Sequence, residues 1–133
     1  MKKALYIIPI IFLILITAVC GYYFTAYNRA NNLIKMANTG EDIQFGENGI
    51  ISYDNFKLLR SVKIVDSNTD YVVNGGTFLH IKELGVDCIS FRCVSDYKVV
   101  KIESNEIIQT VSGRSFIITL KCRNFKWVVS GVK

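Results

Sequence analysis

The pattern of apolar and polar positions divides the chain into two parts. Every side chain in Ala4–Phe24 is uncharged, and most are aliphatic or aromatic. At roughly 1.5 Å per helical residue, about 21 residues cover the roughly 30 Å hydrocarbon layer of a bilayer. Lys2 and Lys3 immediately precede this stretch, which favours a cytoplasmic N-terminus. The pattern therefore predicts a cytoplasmic tip and one transmembrane helix in residues 1–27, with an extracytoplasmic domain in residues 28–133.

A cleaved secretory signal is the competing interpretation of the same stretch. Signal cores usually hold about 7–15 apolar residues and end at a small-x-small site, of which Ala18-Val19-Cys20-Gly21 is a poor version. A lipoprotein signal would have a small residue before its cysteine, whereas Val19 precedes Cys20. An uncleaved anchor is favoured, and all three interpretations place the remaining chain outside the cytoplasm. Membrane lipid is then the expected partner of residues 4–24.

Beyond the apolar stretch, small and aliphatic residues keep a helical spacing. The spacing predicts that the membrane helix continues, or restarts, to about Asn38, after which Gly40 supplies a left-handed stop. No linker rich in Pro, Ser or Gly separates this helix from the rest of the chain, so the domain should lie close to the bilayer. The residues on this helical face are Ala26, Ala30, Leu33, Ile34 and Ala37.

Short elements are predicted between this helix and the long strands. Asp54 can cap a short helix, followed by a short strand at Val62–Val65. Two further short strands, Tyr71–Val73 and Thr77–Lys82, are separated by the turn chemistry of Asn74-Gly75-Gly76. The short helix is expected to turn three side chains inward, those of Phe56, Leu59 and Val62.

The last part of the chain has the two-residue period of long β-strands. One strand is predicted from Val86 to about Glu103, and its inward parity flips near Val99–Val100, which suggests a bulge. Ile107–Cys122 and Lys126–Val132 follow as further strands, joined by tight turns. The predicted class is α+β: an N-terminal transmembrane helix, then a small domain with one or two short helices and a curved antiparallel sheet of about four to six strands.

Composition and charge narrow the functional classes. The length of 133 residues excludes a multidomain enzyme, and a composition that is half hydrophobic excludes intrinsic disorder. The formal net charge is +5. The concentrated basic spot is Lys121, Arg123 and Lys126, too small a patch to predict nucleic-acid binding. Anionic lipid headgroups or wall polymers would suit this spot. A solvated hairpin tip that protects an edge strand is the alternative.

The four cysteines allow only limited chemistry. Cys20 falls in the apolar stretch, whereas Cys88 and Cys93 lie five positions apart on one predicted strand, about 16 Å at 3.3 Å per residue. A Cys93–Cys122 cross-strand disulfide is geometrically allowed, and buried free thiols are the alternative. Because the sequence has no CxxC pair and one histidine, neither a metal site nor a cofactor is predicted.

The end of the chain resembles the NTF2-like group of small bacterial envelope domains. In Gln109–Leu120 a polar, glycine-containing segment leads into a long strand, and Lys126–Val129 returns with a tryptophan, as in the terminal hairpin of those domains. The resemblance covers about the last 50 residues and implies long curved strands packed on helices. Members include enzymes and non-enzymatic modules, so the resemblance leaves the activity open.

Candidate binding residues are few, and no catalytic residue is predicted. His80, Asp96 and Tyr97 are candidates for binding a small ligand, although a histidine base would need an orienting carboxylate. The favoured function is a non-enzymatic, single-pass membrane protein whose extracytoplasmic domain binds a protein or an envelope component. The alternatives are a small-ligand-binding or enzymatic NTF2-like pocket and a structural subunit of a membrane complex.

Overall fold

The computed structural model describes residues 2–39, 49–63 and 70–133. Its helices are α1 (Lys2–Thr39) and α2 (Tyr53–Leu59), and its strands are β1 (Tyr71–Leu84), β2 (Cys88–Lys101), β3 (Ile107–Arg123) and β4 (Lys126–Val132). The strands form one antiparallel sheet in the order β1-β2-β3-β4. A long apolar helix, a short helix and a curved antiparallel sheet confirm the predicted α+β class.

The first helix contains the apolar stretch in its N-terminal part and contributes to the core of the domain with its C-terminal part. α1 is unbroken over 38 residues, about 57 Å at 1.5 Å per residue. Side chains from Leu5 to Gly21 are all exposed, and this helix is long and apolar enough to cross a membrane. Farther along, Ala26, Ala30 and Ile34 are buried against the sheet. The predicted continuation of the helix to about Asn38 is therefore confirmed.

A side-chain cap fixes the start of the short helix α2. Ser52 is its N-cap and accepts a hydrogen bond from the Asn55 N–H at 3.2 Å, so the predicted cap at Asp54 is wrong. Asp54 lies in the first turn instead, where its charge complements the helix dipole. The three residues predicted to face inward, Phe56, Leu59 and Val62, are buried as expected.

The side chains of Arg114 and Asn38 make hydrogen bonds to the backbone at the end of α2 and in the segment that follows it. The Arg114 guanidinium donates to the Leu58 and Arg60 carbonyls at 2.7 and 2.6 Å. Asn38 is buried, and its side-chain oxygen accepts from the Ser61 and Val62 N–H groups at 2.7 and 3.0 Å. These bonds satisfy backbone groups that neither a helix nor a sheet pairs.

The first strand runs through a predicted turn. β1 continues across Asn74-Gly75-Gly76, so the predicted turn there is wrong. Gly75 has φ of +116°, and a Cβ at this position would collide with the Asp96 carbonyl oxygen. Glycine is needed here for close approach between β1 and β2. Val62 and Lys63 are not part of a strand; the rest of the strand predicted at Val62–Val65 lies outside the described residues, as does the Gly40 stop.

Register shifts curve the sheet. They fall between Ile81 and Glu83, Ser95 and Tyr97, Val99 and Val100, and Thr119 and Leu120. The third shift confirms the bulge predicted from the parity change. Because each bulge bends its strand and increases the local twist, the sheet curves.

Candidate functional site

The two faces of the sheet differ in what covers them. We call the face that carries Phe91, Ile118 and Leu120 the inner face; these side chains are buried against α1 and α2. The opposite face, which carries Phe78 and Arg92, is called the outer face. Neither described helix contributes to the packing of the outer face, and Phe78 is 67% exposed there. The helices thus bury the inner-face side chains of β2 and β3, although Ile81 and Leu84 of β1 stay exposed on that face. On the outer face they leave the ring of Phe78 uncovered.

A shallow depression lies at the centre of the outer face. Phe78 pairs in register with Val94, and Arg92 pairs with Ile117. Such directly opposed side chains lie about 4.5–5.5 Å apart at Cβ and form a continuous surface. The depression has a volume of about 490 Å³ and is lined by Arg92, Val94, Ser115, Phe116, Ile117 and Lys133.

Two cations, Arg92 and Lys133, line this depression. His80 pairs in register with Arg92. The nearby carboxylate of Asp96 accepts a hydrogen bond from the Gly113 N–H at 2.9 Å, so it is already engaged within the protein. An apolar contact flanked by cations is suited to a partner that carries both an apolar side chain and carboxylates.

The three candidate ligand residues do not all converge. Asp96 and Tyr97 both line a depression of about 300 Å³, whereas His80 does not. His80 and Asp96 are exposed on the outer face, but His80 pairs with Arg92, four positions from Asp96 along β2 and about 13 Å away at 3.3 Å per residue. Tyr97 points to the inner face and is buried. Its hydroxyl lies 2.9 Å from the Thr77 hydroxyl. Burial raises the pKa of Tyr97, with the Thr77 hydrogen bond opposing the shift, so Tyr97 stays neutral at ordinary pH.

A small cleft does exist on the inner side, next to Tyr97. It lies between the last turns of α1 and the middle of β1, with Asn31, Lys35 and Thr77 among its lining residues. Its volume is about 240 Å³, below the roughly 300–1,000 Å³ of typical ligand pockets. Among the residues that the structure describes, no group of three or more His, Cys, Asp or Glu side chains could hold a metal ion.

The cysteines are all free thiols. Cys93 lies opposite Phe116 on β3, six positions from Cys122, which is about 20 Å along a strand. That separation far exceeds disulfide geometry, so the Cys93–Cys122 bond hypothesised from the sequence is wrong and the alternative of free thiols holds. Cys93 is fully buried between the sheet and α1.

Cys93 is expected to resist alkylation in the folded protein. Burial raises its pKa from 9.0 to about 12, so the reactive thiolate is scarce at pH 8. Iodoacetamide at pH 8 should leave Cys93 unmodified in peptide mass spectra and modify it fully after denaturation. Because the folded pKa is the higher one, this thiol stabilises the fold below pH 9 and loses that contribution as pH rises towards 12. Rapid modification in the native state would contradict its burial.

The basic spot lies at the β3–β4 hairpin. Lys121, Arg123 and Lys126 are all exposed, and Arg123 pairs directly with Lys126 across the hairpin. Lys121 and Arg123 are two positions apart on β3, so they share a face of the strand. The sequence placed these cations correctly around the last turn, and the structure adds what lies beside them: the Phe125 ring, fully exposed at the hairpin tip.

The outer-face residues could not be selected from the sequence. Phe78 and Arg92 have the same alternation as buried strand residues, and only the position of the helices decides which parity is covered. The sequence did hold one usable signal: Phe78 is two positions from His80, so it lies on the same strand face as a polar residue.

No family model, curated protein or solved structure matches the chain.

Proposed function

We propose that the protein is a single-pass membrane protein whose domain binds a protein partner outside the cytoplasm through the outer face of its sheet. One observation carries this proposal: the helices bury the inner-face side chains of β2 and β3, whereas the outer face has no helix over it and keeps Phe78 67% exposed beside a depression. An exposed apolar contact with a polar rim is characteristic of interaction sites.

The chemistry of the outer face selects the class of partner. Arg92 and Lys133 flank the depression and favour carboxylates, and Phe78 favours an apolar side chain. An anionic wall polymer would satisfy the cations but would leave the aromatic ring without a contact. A protein surface with an apolar residue surrounded by acidic residues satisfies both, so it is the proposed occupant.

Membrane anchoring and orientation belong to the same proposal. The exposed apolar half of α1 supports a membrane span, and Lys2 and Lys3 support a cytoplasmic N-terminus. The NTF2-like resemblance of the last part of the sequence and, with it, a bacterial envelope protein are part of this proposal. In this interpretation α1 and α2 replace the three-helix layer usual in that group, and the open face of the sheet rather than an enclosed pocket carries the function.

The outer face is tested by site-specific photo-crosslinking in cells. A photoreactive phenylalanine analogue at position 78 should give a discrete adduct with one protein, while the same analogue at position 102 should not. Ile102 is a matched control because it is similarly exposed and lies in the turn at the far end of the sheet. Equal patterns from the two positions would overturn the proposal. Adducts from probes in residues 5–21 alone would instead favour a structural subunit that assembles through its span.

Phe78→Ser should weaken binding of the crosslinked partner, once purified, by roughly 30-fold, the effect of losing one central apolar contact. Because the side chain is exposed, stability should change little. Binding to full-length protein in nanodiscs can be measured by calorimetry, with Ile102→Ser as the control expected to bind normally. A Kd for Phe78→Ser within a factor of two of the wild-type value would exclude this ring from the interface.

A further inference from the structure

Two turns lie at the same end of the sheet. In an antiparallel meander the β1–β2 and β3–β4 connections are at one end and the β2–β3 connection is at the other. The Cys122 N–H donates to the Asp87 carbonyl at 2.8 Å, which joins the two turns side by side. The tips of these turns are Val86 and Phe125.

This end of the sheet is fastened to α1 where its exposed apolar stretch ends. The Tyr22 hydroxyl donates to the Val86 carbonyl at 2.9 Å, and the Tyr23 hydroxyl donates to the Gly85 carbonyl at 2.7 Å. The Trp127 indole N–H donates back to the Tyr22 carbonyl at 3.2 Å, and the Tyr22 and Trp127 rings lie 4.9 Å apart. These contacts therefore fix the position of the two turns along the axis of α1, level with Tyr22 and Tyr23.

In a bilayer spanned by α1, this level along the helix would lie at the headgroup boundary. The wholly exposed stretch from Leu5 to Gly21 is about 17 residues, or about 26 Å at 1.5 Å per residue. The hydrocarbon layer is about 30 Å thick, so a span that begins near Leu5 reaches the headgroup boundary within one helical turn beyond Gly21. Tyr22 and Tyr23 lie in that turn, and tyrosine is enriched at this boundary. The turns bonded to their hydroxyls lie at the same depth.

The side chains at the two tips suit that environment. Val86 is 86% exposed, and Phe125 is fully exposed. Phe125 also has φ of +62°, next to Asn124 with φ of +50°, in a two-residue hairpin turn where glycine is normally preferred. A bulky residue in this conformation is strained. The chain thus holds an aromatic ring on the tip against its local conformational preference.

Cations lie beside the apolar tips. Lys121, Arg123 and Lys126 are exposed along the hairpin that ends in Phe125. Near a membrane surface, each such charge attracts anionic headgroups. We propose that Val86 and Phe125 insert into the headgroup region of the bilayer that α1 spans, with these three cations binding lipid phosphates. This docking rests on the proposed membrane anchoring, and it adds a second attachment of the domain to the membrane.

Quenching by brominated lipids tests the depth of the tips. Full-length Phe125→Trp and Val86→Trp are reconstituted in vesicles of phosphatidylcholine and phosphatidylglycerol that contain lipids brominated near the headgroup. The added tryptophans should be quenched at least roughly twofold more than one at position 102, because amphipathic rings favour this depth. The wild type, whose one tryptophan is Trp127, supplies the background.

The outcomes separate the two proposals. Flotation with the vesicles after carbonate treatment reports insertion of α1 independently of the tips. If the protein floats but tryptophans at 86 and 125 are quenched no more than one at 102, docking is overturned and anchoring stands. If the protein does not float, anchoring and docking are both overturned.

A variant without the three cations tests their proposed contact with lipid phosphates. Lys121→Gln/Arg123→Gln/Lys126→Gln in the Phe125→Trp background should shift the docked-to-undocked ratio by on the order of 100-fold, given the contribution of three cations near an anionic surface. Quenching in phosphatidylglycerol vesicles should then fall to the level in pure phosphatidylcholine. Lys98→Gln/Lys101→Gln, near the far end of β2, is the control expected to change nothing. Equal quenching of the unmodified hairpin in neutral and anionic vesicles would overturn the phosphate contact.

Discussion

Replacing Asn38 by alanine is expected to lower the free energy of unfolding by about 4 kcal/mol, because three buried backbone groups lose partners worth about 1–3 kcal/mol each. The side-chain oxygen accepts from the Ser61 and Val62 N–H groups, and the side-chain nitrogen donates to the Leu59 carbonyl at 3.2 Å. Asn38 is 3% exposed, so water cannot readily replace these bonds. The loss is a large part of the roughly 5–15 kcal/mol that stabilises a typical domain.

Urea unfolding of the full-length protein in detergent, followed by Trp127 fluorescence, measures this loss. Trp127 is buried beside α1 and reports on the core. Asn32→Ala is the matched control, since Asn32 is an exposed residue of the same helix, and alanine is the better helix former. If the two variants unfold at the same urea concentration, the bonds of Asn38 do not hold the segment after α2.

A pair of arginines in the exposed part of α1 is expected to remove the protein from the membrane. Ile10→Arg/Leu13→Arg places two charges near the middle of the apolar stretch, where each disfavours insertion by about 2.5–3.5 kcal/mol. The combined effect of about 6 kcal/mol exceeds the contribution of several aliphatic residues. Both side chains are exposed, so the fold of the domain should persist. The measurement is the carbonate-resistant membrane fraction in cells.

Ile102→Arg/Ile107→Arg introduces the same charge at the far end of the sheet, where both side chains are also exposed. This control should remain in the membrane fraction. Retention of the Ile10→Arg/Leu13→Arg variant in that fraction would show that α1 is not what holds the protein there. The N-terminal mass of the membrane-bound wild type separates an uncleaved anchor from a processed signal.

Strand alternation carried most of the fold information in the sequence. The long runs in β2 and β3 show one face clearly, and the parity change at Val99–Val100 located a bulge. Glycine was the ambiguous signal. Gly75 can mark a turn or a close approach of two strands, and only the Asp96 carbonyl, remote in sequence, decides between them. Ser52 and Asp54 are both good helix caps, and local chemistry alone does not choose between them.

The candidate site was harder to predict because it depends on tertiary placement. His80, Asp96 and Tyr97 have plausible chemistry, but strand register separates the first two and parity turns the third inward. The outer face becomes distinctive only once α1 is known to pack on the opposite side. The basic hairpin was visible from charge, whereas its position beside Tyr22 depends on contacts between residues about 100 positions apart in the chain.

Because α1 is unbroken, the domain is rigidly connected to the apolar part of the same helix. No kink-forming proline lies between Gly21 and Thr39, so in the proposed membrane-spanning arrangement any tilt of α1 is also the tilt of the sheet. A tilt of about 20°, typical of membrane helices, swings the far end of the roughly 27 Å that follow Gly21 by about 9 Å. A change in bilayer thickness, or a neighbouring helix leaning on the span, would therefore re-aim the outer face without altering a single contact inside the domain.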